Sequence, residues 1–263
     1  MKWGLLYQFY CRRATLVDTL VGAVGMLVTV CGTAQTLKPS AVIPLLADTH
    51  HVQGIDVEAS RLWATAVDKT KRRGLLFEFE LPSGRLLRFV ELQQGERYHP
   101  GGIMADADSL WMPVAEYKRD SSAVIQRRSK STLKLIYQFE VKDHIGAVAV
   151  TPHALWGANW DAKDFYVWDK QGKQISKQPN ELGTACQDMK FTESTLICSG
   201  LRPDKSGAIE WIHPQTSKRI RKLELGQTDR GVAYTHEGMA IRGHKLYLLP
   251  EDSPSRLFIF DLP

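Results

Sequence analysis

Four histidines recur at one point of a repeated sequence pattern, each at the start of a short, mostly apolar run. The five aligned segments begin at His51, His99, His144, Cys186 and His236, between 42 and 50 residues apart. A turn and a second apolar run follow each start, and the second run ends in a charged residue. These ends are Asp68, Glu116, Asp161, Arg202 and Asp252, with Glu251 beside the last. An imidazole oriented by a carboxylate is a general base near neutral pH, and both groups bind divalent metal ions.

The elements that position these residues are four short strands in each repeat. A third, alternating run and a fourth run follow the first two, with turn residues such as Pro82–Gly84 between them. Four strands in a unit of about 45 residues are typical of a β-propeller blade. The fifth unit stops after three strands, and residues 42–46 supply the missing one. The sequence therefore predicts an all-β fold. Residues 35–263 would form a single domain, a five-bladed β-propeller closed by an N-terminal strand that completes the last blade.

Strand direction predicts where the chemistry lies. The innermost strand of every blade starts at the face where the antiparallel second strand ends, so the histidines and the acidic residues should converge at one mouth of the channel. The candidate catalytic residues are His99, His144, His236 and Glu116. The candidate ligand-binding residues are His51, Asp68, Asp161, Asn159, Cys186, Asp188, Arg202, Glu237, Glu251 and Asp252.

Three interpretations of this mouth remain open on the sequence alone. The first is a small-molecule site, in which a divalent metal ion as cofactor, or a histidine, activates water to hydrolyse an ester or lactone. The second is a non-catalytic propeller that binds another protein or a component of the cell envelope. In the third, the repeated histidines are hydrogen-bonded staples within the fold, as in propellers of the WD-repeat type.

The N-terminal residues 1–34 have the plan of a secretory signal peptide. Lys2, Arg12 and Arg13 supply positive charge, and Leu20–Val30 is an uncharged run of eleven residues. Small residues then suit cleavage before Gln35. We expect a periplasmic or secreted protein that keeps no membrane span after cleavage. The alternatives are an uncleaved anchor and a later start at Met26.

The charge balance argues against nucleic-acid binding. The net charge is +5, and the basic clusters Lys69–Arg73, Arg127–Lys130 and Lys218–Lys222 lie far apart. They contain no interleaved aromatic residues, which a nucleic-acid surface would use for stacking. We expect a small-molecule ligand instead.

The two cysteines that follow the predicted cleavage site, Cys186 and Cys198, are predicted to be free thiols. The strand pairing inferred above places Cys186 opposite Arg202 and Cys198 opposite Lys190. Four residues of strand then separate the two levels, about 13 Å at 3.3 Å per residue. A disulfide requires Cα atoms within about 7 Å.

Several motifs resemble an exported bacterial protein family without an assigned function. They are HPGGI (99–103), LWMPVAEY (110–117), DHIGAVAV (143–150), EGMA (237–240) and LYLLPEDSPSRLFIFDL (246–262), within a likeness that covers nearly all of residues 48–263. The architecture is also similar to the six-bladed gluconolactonase-type and paraoxonase-type propellers, which hold a central divalent metal, and to the five-bladed glutamine cyclotransferases. These resemblances imply a propeller, but they carry no catalytic residue over to this chain.

Overall fold

The repeated units are the blades of a five-bladed β-propeller in the computed structural model, which describes residues 37–262. The fold class predicted from the repeat is therefore confirmed. The predicted signal peptide lies outside the described residues. Within residues 37–262, no helix is long and apolar enough to cross a membrane.

Each blade is an antiparallel sheet in which the chain runs from the innermost strand outwards. Blade 1 contains β2 (His51–Glu58), β3 (Arg61–Asp68), β4 (Arg73–Glu80) and β5 (Leu86–Glu91). Blade 2 contains β6 (Arg97–Pro100), β7 (Met104–Ala105), β8 (Ser109–Glu116), β9 (Ala123–Ser129) and β10 (Leu135–Val141). Blade 3 contains β11 (Ile145–Val150), β12 (Leu155–Asn159), β13 (Asp164–Trp168) and β14 (Gln174–Pro179). Blade 4 contains β15 (Ala185–Thr192), β16 (Thr195–Leu201), β17 (Gly207–Ile212) and β18 (Arg219–Leu225).

Blade 5 joins the two ends of the described chain. It contains β19 (Glu237–Arg242), β20 (Lys245–Pro250) and β21 (Arg256–Asp261), and its outer strand is β1 (Ala41–Pro44). Strand β1 pairs antiparallel with β21, and Pro44 lies opposite Arg256. A proline is tolerated there because an outermost strand is an edge and one of its sides needs no N–H donor. The predicted closure by the N-terminal strand is confirmed.

The inner strands are buried on both faces because neighbouring blades cover them. Strands β2, β3 and β4 are buried along nearly their whole length, whereas β14 is exposed. The second strands carry a buried tryptophan at one repeated position, namely Trp63, Trp111 and Trp156. Trp111 and Trp156 belong to one apolar cluster that includes residues of blades 2, 3 and 4. Packing between blades is therefore the role of these residues, as their repetition predicts.

The centre of the propeller is filled with protein atoms. A Cβ added at Gly54 would lie 2.5 Å from the Cα of Gly102, so these inner strands are in backbone contact. The carboxylate of Asp188 accepts hydrogen bonds from the backbone N–H of Ile55 (2.9 Å) and of Met239 (3.0 Å). Its partner Lys190 donates to that carboxylate at 2.6 Å and to the carbonyl of Ile103 at 2.7 Å. This buried ion pair links blade 4 to blades 1, 2 and 5. The channel along the axis of the propeller is therefore closed by protein atoms.

The predicted pairing of first and second strands is wrong by one residue at the end where the histidines lie. His51 pairs with Val67 rather than Asp68, and His99 pairs with Ala115 rather than Glu116. A register shift interrupts the first strand in four blades, between Val52 and Gly54, Arg97 and His99, Ile145 and Ala147, and Cys186 and Asp188. Such a bulge adds one residue to one strand. Because successive side chains alternate between faces, the shift turns the predicted acids away from the histidines.

The prediction of two free thiols is also wrong. Cys186 and Cys198 form a disulfide, and their Cα atoms are 5.3 Å apart. Cys186 pairs with Gly200 instead of Arg202, and Cys198 pairs with Met189 instead of Lys190. The two sulfurs therefore start from diagonal neighbours on one face of the sheet. The bulge in the first strand of blade 4 shortens the expected separation, and spacing alone does not reveal it.

Candidate functional site

The four repeated histidines line one cleft at a single mouth of the propeller. The cleft has a volume of about 260 Å³. Its lining is His51, Gln53, His99, Tyr117, His144, Gly146, Asn159, Trp160, Asp161, Cys186, Gln187, His236 and Glu237. The convergence of the histidines follows from the fold, since the innermost strand of every blade starts at this face.

One half of the cleft is acidic. Nδ1 of His51 lies 2.6 Å from Oε1 of Glu251, and Nε2 of His236 lies 3.3 Å from Oε1 of Glu237. Glu237 is only 3% exposed, whereas Glu251 and both imidazoles are half-buried. These residues come from the start of blade 1 and from both ends of the first hairpin of blade 5, on the two sides of the seam that closes the propeller.

The two carboxyl groups of this acidic half titrate in opposite directions. Burial, reinforced by the charge of Glu251, raises the pKa of Glu237 well above its ordinary value. The hydrogen bond with His51 lowers the pKa of Glu251. The environment therefore favours the protonated form of Glu237 more than that of Glu251, and such a division is typical of acid–base sites. The backbone of Glu237 has φ = 113°, a strained value that non-glycine residues adopt mainly where function requires it.

The other half of the cleft is a pair of neutral histidines. Nδ1 of His144 lies 3.0 Å from the backbone carbonyl of Lys118, which only accepts, so Nδ1 of His144 carries a proton. Nε2 of the neutral His144 then accepts, and it lies 3.3 Å from Nδ1 of His99. His99 must donate that hydrogen bond, which leaves the lone pair of His99 on Nε2. Burial lowers the pKa of His99 well below 6.5 and also lowers the pKa of His144.

An aromatic wall holds the histidine pair in place. The ring of Tyr117 stacks on His99 at 4.3 Å between centroids, and Trp160 meets His144 edge-on at 4.5 Å. Neither aromatic residue was predicted from the sequence to lie in the site. Both could have been found from one pattern, since in blades 2 and 3 an aromatic residue directly follows the charged or polar end of the second strand. A planar ligand has a ready contact surface here.

Three side chains of the acidic half fit a divalent metal ion. One ligand atom each from His51, Glu237 and Glu251 lies within 4.8 Å of the other two. An imidazole nitrogen and two carboxylate oxygens suit Zn²⁺ or Mn²⁺. A cation would also neutralise the repulsion between the two carboxyl groups, which adds to the effect of burial in raising the pKa of Glu237.

Four predicted acids at the ends of second strands lie outside the cleft lining. Glu251 contacts the lining residue His51, whereas Asp68, Glu116 and Asp252 have other partners. Asp68 accepts a hydrogen bond from Arg73 at 2.9 Å, and Asp252 accepts one from Arg256 at 2.8 Å. Glu116 pairs with Lys118 at 2.6 Å. In blades 1 and 5 the acid at the end of the second strand thus joins the start of the third strand, which is a structural contact. In blades 1 and 2 the bulges that shift the register explain why Asp68 and Glu116 miss the histidines, whereas the pairing of β19 with β20 in blade 5 has no such shift.

Two further candidates also occupy other places. Asp188 lies in the fully buried ion pair with Lys190, beneath the cleft rather than in its lining. Arg202 lines an adjoining groove and pairs with Glu224 at 3.0 Å. Asn159 and Asp161 do line the cleft, and Asp161 pairs with Arg119 at 2.7 Å. Cys186 lines the cleft as half of the disulfide.

The chain is similar to solved structures at low sequence identity. Myxococcus xanthus glutaminyl cyclase is 12% identical, covering 87% of this chain and 100% of its own, with a TM-score of 0.64. BamB from Moraxella catarrhalis is 12% identical, covering 84% and 61% of the two chains, with a TM-score of 0.44. The Neurospora crassa Pan2 WD40 domain is 9% identical, covering 81% and 90%, with a TM-score of 0.49.

The sequence itself matches one protein family. Residues 11–202 match DUF6454, a family of unknown function. None of the curated proteins compared with the chain matches it. The likeness to glutaminyl cyclase concerns the fold alone.

Proposed function

The chain belongs to the DUF6454 family of unknown function, and from its own site we propose that it is a small-molecule hydrolase of esters or lactones. The observation that carries this proposal is the pairing of two unlike halves in one cleft. The hydrogen-bonded Glu251–His51 pair and the buried Glu237 share this cleft with a pair of neutral histidines, one of which has a free lone pair.

The shape of the cleft supports a small ligand. Its volume of about 260 Å³ lies near the lower end of ordinary ligand pockets. The packed centre closes the cleft from beneath, so a small molecule would enter from the face of the propeller. The rings of Tyr117 and Trp160 offer apolar contact, and the lone pair on Nε2 of His99 offers a polar one.

His51, Glu237 and Glu251 would hold a divalent cation as the cofactor. When bound, such an ion lowers the pKa of a coordinated water towards neutral pH and polarises a carbonyl oxygen. Glu237 must give up its proton to act as a ligand, so the site favours the cation over the proton as the pH rises.

His99 is the general base of the proposed reaction. Its Nε2 takes one proton from the attacking water, and the remaining hydroxyl bonds to the acyl carbon. The C–O bond to the leaving group then breaks, and Nε2 of His99 returns the proton to the departing alkoxide. The products are a carboxylic acid and an alcohol, or a hydroxy acid from a lactone. His144 keeps Nδ1 of His99 as a hydrogen-bond donor throughout, which fixes the lone pair on Nε2.

We further propose that the protein acts outside the cytoplasm. The Cys186–Cys198 disulfide is typical of oxidising compartments, and the sequence of residues 1–34 predicts a signal peptide. A non-catalytic binding propeller is the alternative, which the experiment below separates from an enzyme.

The test combines metal analysis with an activity screen. Purified protein is dialysed against Zn²⁺ or Mn²⁺, its metal content is measured, and a panel of esters and lactones is assayed by pH-stat. We expect about one ion per chain and turnover that chelation abolishes. A protein that binds no cation and hydrolyses none of the panel would contradict the proposal and favour the binding alternative.

A further inference from the structure

A basic groove continues from the acidic cleft, and we propose that it binds a carboxylate or phosphate group of the substrate. This inference rests on the proposed function for the reacting end of the ligand. The groove has a volume of about 530 Å³ and shares Asp161, Gln187 and His236 with the cleft. One extended molecule can therefore occupy both spaces.

Three cations line the groove. Lys163 follows the single 3-10 turn Trp160–Ala162 in blade 3, and Arg202 and Lys205 lie in the loop between β16 and β17 of blade 4. Within residues 37–262, neither lysine has a carboxylate at ion-pair distance. Arg202 is only partly neutralised, because its partner Glu224 also pairs with Lys222 at 2.6 Å.

Acidic residues do not cancel this charge. Asp161 is the one carboxylate in the described lining of the groove, and Arg119 already pairs with it at 2.7 Å. Lys205 and His236 both line the groove, and His236 also lines the cleft. The positive potential of the groove therefore reaches the edge of the cleft.

The two connected spaces thus differ in charge. The inner end contains the carboxyl groups of Glu237 and Glu251, which a bound divalent cation would balance, while the groove contains ammonium groups that attract an anion. Complementary potentials of this kind fix the direction in which a ligand binds. The geometry points to a substrate with its ester or lactone in the cleft and its acidic group between Lys163 and Lys205.

Three esters that differ in one group provide the probes. Monomethyl glutarate carries a carboxylate, methyl 4-phosphonobutanoate carries a phosphonate, and dimethyl glutarate is uncharged. Their binding to the full chain is measured by isothermal titration calorimetry, and their hydrolysis is followed separately by pH-stat. The test variant is Lys163→Gln/Lys205→Gln. The matched control is Lys170→Gln/Lys173→Gln, which removes the same charge from a turn of blade 3 on the opposite face.

We expect at least one acidic ester to bind the wild type more tightly than the uncharged ester does. The test variant should bind that ester about 3- to 30-fold more weakly, because it loses two exposed charge contacts that each contribute part of the binding free energy. Its affinity for the uncharged ester should not change. The control should bind all three esters as the wild type does. The better acidic ester identifies which acid the groove prefers.

Other outcomes separate the two proposals. Tighter, lysine-dependent binding of an acidic ester without any hydrolysis supports the groove and contradicts the hydrolase. Equal affinities for charged and uncharged esters, unaltered in the test variant, overturn the groove even if all three are hydrolysed. Failure of every probe to bind the wild type also overturns it.

Discussion

Nδ1 of His51, at the start of blade 1, lies 2.6 Å from Oε1 of Glu251, just after the second strand of blade 5. The two residues are 200 positions apart in the sequence, and the seam that closes the propeller brings them together. The pairing of β1 with β21 therefore has a second effect besides covering the edge of β21. It completes the blade that carries half of the candidate site.

Replacement of Glu251 by glutamine should weaken cation binding. The change keeps the size of the side chain but removes the charge that His51 and a cation both use. We expect the affinity for Zn²⁺ or Mn²⁺ to fall about 10- to 100-fold or more, measured by calorimetry. Glu193→Gln, in an exposed turn on the opposite face, is the matched control and should leave the affinity unchanged. Equal affinities in both variants would remove Glu251 from the ligand set.

Replacement of His99 by glutamine should abolish most of the proposed hydrolysis. A glutamine fills the space but cannot take up the proton, so kcat/KM should fall about 10²- to 10⁴-fold in the pH-stat assay. His153→Gln tests the same substitution in an exposed turn of blade 3 on the opposite face, and it should retain wild-type activity. An active His99→Gln variant would rule out His99 as the base.

The buried histidines should make the fold sensitive to acid. Burial lowers the pKa of His99 well below 6.5, so below that pH the unfolded chain binds a proton that the folded chain does not. The free energy of unfolding should therefore fall as the pH drops. His99→Gln removes this contribution, at most about 1.4 kcal/mol per pH unit, whereas His144 and His236 still act in the same direction.

The difference between two denaturation series isolates His99. Glu237 changes the free energy of unfolding with pH in the opposite direction, because its raised pKa stabilises the fold at low pH. Both proteins contain Glu237, so its contribution cancels in the difference. Urea unfolding of wild type and His99→Gln from pH 7 to pH 5 should therefore diverge below pH 6.5. Parallel curves would show that the environment of His99 does not suppress its charge.

Loss of the disulfide should destabilise blade 4. The bridge joins residues 12 positions apart, and the loop-entropy model gives about 3 kcal/mol for a loop of this length. The free energy of unfolding of the Cys186→Ser/Cys198→Ser variant, measured by urea denaturation, should therefore be lower than that of the oxidised wild type by this amount. Reduced wild type should match the variant. Thiol-reagent titration of the unfolded, unreduced protein without residues 1–34, and so without Cys11 and Cys31, checks that both sulfurs are oxidised.

The ion pair at the centre should be far more sensitive to the loss of one partner than of both. Lys190→Met leaves the carboxylate of Asp188 fully buried without its cation, and we expect a loss of about 3–5 kcal/mol in urea unfolding. Asp188→Asn/Lys190→Met removes both charges and should recover part of that loss. The double variant will not recover all of it, because an amide oxygen replaces the carboxylate that accepts from Ile55 and Met239. A milder effect of Lys190→Met than of the double variant would contradict the ion pair.

The repeat alone predicted the blade count, the closing strand and the gathering of His51, His99, His144 and His236 at one mouth. These follow from local information, because hydrophobic alternation sets the strands, and antiparallel pairing sets which ends share a face. The same reasoning assigned the tryptophans of the second strands to packing between blades.

The tertiary structure alone decided which side chains meet at that mouth. A bulge of one residue in the first strands turned Asp68 and Glu116 towards other partners and brought Cys186 next to Cys198. Tyr117 and Trp160 line the site from segments that follow the second strands, and Asp188 lies beneath the cleft, where it pairs with Lys190. A register shift of one residue hardly changes the hydrophobic pattern of the sequence, yet it moves every following side chain to the other face of the strand. The chemistry of the cleft therefore depends on distances that only the folded chain determines.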